Sequence, residues 1–73
     1  MIENGRIAKQ ISDLMLEFGA RLNESVLLVK NGCSEEELDV YRSAIGEIMG
    51  NMLTEIMNPL YKRHPTLKPK ELR

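Results

Sequence analysis

The sequence predicts an all-α protein, an antiparallel two-helix hairpin that dimerises into a four-helix bundle and ends in an extended basic C-terminal tail. Two long apolar patterns of helical period fill most of the 73 residues. A single well-marked turn separates them. Phe18, Tyr41 and Tyr61 are the only aromatics, and Trp is absent, so the core must come from Leu, Ile, Val and Met on helices. The hairpin body is read as residues 1–61 and the tail as 62–73.

The first helix is expected over about 4–30. Ile7, Ile11, Leu14, Met15, Phe18, Leu22, Val26 and Val29 fall in one stripe at about 100° per residue, with Lys9, Asp13, Glu17 and Glu24 opposite. Leu16, Ala20 and Leu27 align on the far side and hint at a second buried contact. The turn is Asn31-Gly32-Cys33-Ser34. Gly32 is suited to stop a helix in the left-handed conformation. Ser34 with Glu37 forms a capping box for the next helix, and Glu35, Glu36 and Glu37 suit the positive end of its dipole.

The second helix is expected over about 35–61. Leu38, Tyr41, Ile45, Ile48, Met49, Met52, Leu53, Ile56 and Leu60 make its stripe. Pro59 removes a donor and restricts Asn58, which places a kink or an end near that point. The segment from His64 to Lys70, holding Pro65 and Pro69, reads as extended or disordered. Helices of nearly equal length joined by four residues must run antiparallel. A two-helix chain has only one face to bury against itself, and a second copy covers the rest most simply.

The residues expected at the dimer or helix-packing interface are therefore Ile7, Ile11, Leu14, Phe18 and Leu22 of the first helix, with Ile45, Gly46, Ile48, Met49, Gly50, Met52, Leu53, Ile56 and Met57 of the second. Gly46 and Gly50 each cost about 1 kcal/mol relative to Ala inside a helix. Their spacing of four suits either tight intrachain packing or a close crossing at the dimer interface. Met15, Met49, Met52 and Met57 are expected to fill the core, or else to line an adaptable groove for a partner helix.

Charge adds an asymmetry to a chain whose formal net charge is only -1. Residues 1–61 carry ten acids and five Lys/Arg, whereas 62–73 carry Lys62, Arg63, Lys68, Lys70 and Arg73 against Glu71 alone. Those five cations are the expected partner-binding tail, unless the tail merely solubilises the protein. The single Cys33 permits no intrachain disulfide. The sequence opens without a basic region and apolar run, and its longest strongly apolar run is four residues, Val26–Val29. A cytoplasmic protein with no membrane contact is the expectation.

No catalytic, cofactor or metal site is read, and the protein is not expected to be an enzyme. Glu47, Asn51 and Glu55 share one side of the second helix but read as a solvated polar face, without the Glu-x-x-His spacing of bundle metal sites. His64 has no second ligand at usable spacing, and the hairpin places it far from Cys33. The function expected is a non-enzymatic small interaction protein, an adaptor or regulatory subunit acting as a homodimer that binds another protein. The alternative is a small nucleic-acid-associated regulator, an antitoxin or phage-type modulator, that uses the basic tail.

Overall fold

A computed structural model describes residues 1–70 and shows two antiparallel helical rods, 44 × 19 × 16 Å overall. The first rod is helix α1, Gly5–Gly32. The second is continuous but changes pitch: helix α2 (Glu35–Asn51), a π-helical turn (Met52–Met57), and helix α3 (Asn58–Arg63). A single 3-10 turn, Pro65–Leu67, follows. No β-strand occurs among the described residues.

Each rod begins on a side-chain cap. Asn4 Oδ1 accepts from the backbone N–H groups of Arg6 and Ile7, at 2.9 and 3.1 Å. Ser34 Oγ accepts from the Glu37 N–H, while Glu37 Oε1 accepts from both the N–H and the hydroxyl of Ser34. The capping box is complete. Those bonds to the carboxylate, the backbone one foremost, hold Glu37 below its ordinary pKa of 4.5.

The connection is shorter than the sequence suggests. Gly32 is helical, and no glycine among the described residues has a positive φ. Cys33 ends α1 in an extended conformation, φ -132° and ψ 172°, with its N–H bonded to the Val29 carbonyl. Two residues in extended conformation, Cys33 and Ser34, make the reversal, so a left-handed glycine stop is not used.

Pro59 neither ends nor breaks the second rod. An α-helical proline would drive its ring into the carbonyl four residues back, here that of Glu55. The π turn directly ahead widens the coil, and the Asn58 N–H reaches back five residues to the Leu53 carbonyl. The Thr54 hydroxyl donates to the Gly50 carbonyl at 3.0 Å where the pitch changes. Pro59 then occupies the first turn of α3, where a missing N–H costs little.

The core lies at the open end of the hairpin, opposite the turn. Ala8 of α1 meets Met57, Leu60 and Tyr61, with Ile2, Ile11, Met15 and Leu67 packed around them. Ala8 and Leu60 are fully buried. Ser12 is buried too, and its Oγ lies 2.7 Å from Tyr61 Oη. Toward the turn, Leu38 and Ile45 are buried, and Tyr41 donates to Ser25 Oγ at 2.8 Å. The residues of α1 that face the second rod thus run Ala8, Ser12, Met15, Gly19, Leu22, Val26, Val29, in alternating steps of four and three. That is the heptad seam of two helices wrapped on one another.

Residues 64–67 fold back onto the open end of the hairpin. His64 Nε2 donates to the Ile2 carbonyl at 2.6 Å, and Arg63 pairs with Glu3 at 3.0 Å. Leu67, on the 3-10 turn, covers the core.

Candidate functional site

The seam uses small residues on α1, and this decides what the outside of the hairpin looks like. Ala8, Ser12 and Gly19 let the second rod come close, and Leu60, Tyr61 and Met57 fill the space opposite. The larger Ile7, Leu14 and Phe18 are displaced from the seam by about 100° of helix phase and stand exposed, Phe18 at 48%. Ile48 of α2 is likewise exposed.

Two apolar flanks result, one on each side of the hairpin. The first carries Ile7, Leu14 and Phe18 on α1 and Val40, Ala44 and Ile48 on α2. Near the turn it forms a shallow hollow of about 530 Å³ whose lining includes Val29, Val40, Tyr41 and Ala44. The second flank is a groove of about 510 Å³ lined by Met15, Leu16, Gly19, Ala20 and Asn23 of α1 and by Met49, Gly50, Met52, Leu53 and Met57 of the second rod.

Of the residues expected at the interface, Ile45 and Met57 are buried inside the hairpin. Ile11, Leu22, Met49, Met52 and Ile56 are half-buried along it. Ile7, Leu14, Phe18, Gly46, Ile48, Gly50 and Leu53 face outward. The glycine pair makes no tight packing within the chain, since a methyl group on Gly46 or Gly50 would meet nothing within 4 Å. Tight intrachain packing is therefore not what offsets their helix cost. Leu16 and Ala20, aligned on the far side of α1 in the sequence, line the groove beside Gly50.

The methionines divide as well. Met57 is buried, whereas Met15, Met49 and Met52 are half-buried, and all four reach the groove. Flexible thioethers at the floor of a groove adapt to different apolar shapes.

At the open end, Lys62 and Lys68 border a cleft of about 640 Å³ with Asn58, Tyr61, Pro65 and Thr66. Arg63 points instead to Glu3, and Arg73 lies outside the described residues. Of the five cations expected in the tail, Lys62 and Lys68 thus border the cleft and Arg63 is paired with Glu3.

Cys33 is exposed at the turn and His64 sits at the opposite end against Ile2, so the two are not brought together. Among the described residues, no three His, Cys, Asp or Glu side chains gather in a group that could hold a metal ion. No helix is long and apolar enough to cross a membrane, again among the described residues.

The polar pairs Ser12–Tyr61 and Ser25–Tyr41 were not visible as sites in the sequence. For Ser12–Tyr61 the signal was the heptad register itself, which runs through Ala8, Ser12 and Gly19 and is obscured when only large apolar residues are counted.

No family model matches the chain, and neither a curated protein nor a solved structure gives a match.

Proposed function

We propose that the chain is a non-enzymatic helical interaction protein that works as a homodimer and holds a segment of another protein. One observation carries this reading: both flanks of the hairpin are apolar and uncovered. The chain exposes 5522 Å². A compact monomer of 8.3 kDa would expose only about 4,600 Å². The excess of about 900 Å² is close to the roughly 800 Å² per partner that a standard interface covers.

Two flanks of different texture support two occupants. Large aliphatic side chains and Phe18 suit a permanent contact with a second copy. The methionine-lined groove, with Gly50 and Ala20 at its rim, suits an apolar helix of another protein lying close against the backbone.

Absolute molar mass by light scattering across a dilution series tests the first half. A concentration-stable dimer is expected, and a monomer at all concentrations would overturn it. Gly50→Leu tests the second half, because a Cβ at this position meets no neighbour and the longer side chain would occupy the groove. It is expected to preserve mass and helix content while weakening partner capture at least tenfold. Unchanged capture would remove the groove from the reading.

The nucleic-acid reading draws on Lys62, Lys68 and Lys70 at the folded end. Its support is thinner, because Arg63 is paired with Glu3 and only Tyr61, itself buried, could offer an aromatic face. Binding to duplex or single-stranded DNA or RNA that falls steeply with salt would favour it over the protein-binding reading.

A further inference from the structure

The homodimer reading leaves the arrangement of the two copies open, and the outer edges of the first flank carry enough pattern to fix it. Register within one hairpin is set by three contacts. Ser25 meets Tyr41, Glu3 meets Arg63, and a methyl group on Gly19 would sit 3.8 Å from Met49 Cε. From the turn as far as Gly19 and Met49, residue numbers at one level of the rods therefore sum to 66–68, while the Ser12–Tyr61 pair beyond the π turn sums to 73.

The two most exposed large apolar residues among the described ones are Leu28, at 75%, and Val40, at 73%. They stand at the same level, on the outer edges of the two rods, with the width of the hairpin between them. Two turns along from each lies a charge. Arg21 is seven residues before Leu28 on α1, and Glu47 is seven after Val40 on α2. Arg21 and Glu47 also share a level. Within one chain Arg21 has only an exposed 3.7 Å contact with Glu24, which is readily given up.

We propose that a second copy covers this flank through a two-fold axis parallel to the long axis of the hairpin, with both turns at the same end. Such an axis keeps every residue at its own level and exchanges the outer edges. It sets α1 of one copy beside α2 of the other. Leu28 then meets Val40 of the second copy and Arg21 meets its Glu47, and the symmetry makes each contact twice.

Charge favours this over the other two-fold bundle, whose axis is perpendicular and stacks α2 on α2. Residues 35–57 carry six acids and one arginine, net -5, whereas α1 carries four Lys/Arg and three acids, net +1. Stacking like on like sets two strongly acidic helices side by side, and crossing them pairs an acidic helix with a slightly basic one.

The turn end supplies the probe. Cys33 is the only cysteine and is exposed, so a spin label there reports the distance between turns in the full chain. Light scattering on the same sample gives its mass. The expected result is a dimer with labels about 20 Å apart, two helix spacings. A dimer with labels near or beyond the 44 Å length of the hairpin would overturn the geometry and leave the homodimer intact. A monomer before labelling would overturn both.

A charge swap tests the same geometry without a label. Arg21→Glu and Glu47→Arg should each raise the dimer dissociation constant about tenfold, and the double variant should return it to the original value. A double variant as weak as either single one would show that these edges do not meet.

Discussion

At the scale of single residues, the hydroxyl pair Ser12–Tyr61 is the most consequential contact in the chain. It is buried and joins positions 49 residues apart. A buried hydroxyl left without its partner costs about 1–3 kcal/mol. Tyr61→Phe is expected to lower unfolding free energy by about that amount, read from urea denaturation, and Ser12→Ala combined with it should recover part of the loss. Leu60→Ala, which empties a fully buried site, should cost about 2–5 kcal/mol. Glu37 makes a pH prediction. Its carboxyl is held below 4.5 in the folded chain, so its contribution is present above 4.5 and is lost as pH falls through the lower folded value. Glu37→Gln should therefore flatten the acid limb of a stability–pH profile, and an unchanged limb would assign acid sensitivity elsewhere.

At the scale of elements, the Ser34–Glu37 cap, the two rods and their antiparallel course were legible because they are written in local chemistry: Ser34 with Glu37, and a 3.6-residue apolar period. The phase of α1 was less so. A stripe drawn through the largest side chains averages the seam with the exposed flank, placing Leu14 and Phe18 beside Val26. Burial of Ala8 and Ser12 becomes visible only when small residues are allowed to define a close approach. The π turn was hidden for a similar reason. Pro59 announced a disturbance, but whether a helix stops or widens depends on what it gains beyond. Here Met57, Leu60 and Tyr61 gain the core. Deleting one residue between 52 and 57 should let the rod run on as plain α-helix with Leu60 still on the seam, but it should also return the Pro59 ring to the carbonyl four residues back and lower the melting temperature. Gly46→Ala and Gly50→Ala should act in the opposite direction. Each adds a methyl in open space and should stabilise the folded chain by about 0.8–1 kcal/mol.

At the scale of the whole molecule, Ile45 and Leu14 separate folding from assembly, although the sequence places both on the core stripes. Ile45 is buried within the hairpin, so Ile45→Asp should abolish the helical circular dichroism signal. Leu14 faces outward, so Leu14→Asp should keep that signal and lose the dimer by light scattering. Loss of both together in Leu14→Asp would mean that the hairpin cannot stand without its partner. The π turn bears on this larger scale too. A π turn leaves its carbonyls splayed and its hydrogen bonds less well aligned than those of the α-helices on either side. Amide hydrogens of residues 52–57 should therefore exchange with solvent faster than those of α2 or α3, through openings that leave both neighbours intact. Met52, Leu53 and Met57 belong to that turn and also line the groove. A ligand seated there would slow exchange at the one compliant joint of an otherwise stiff rod, which makes occupancy readable without knowing the ligand in advance.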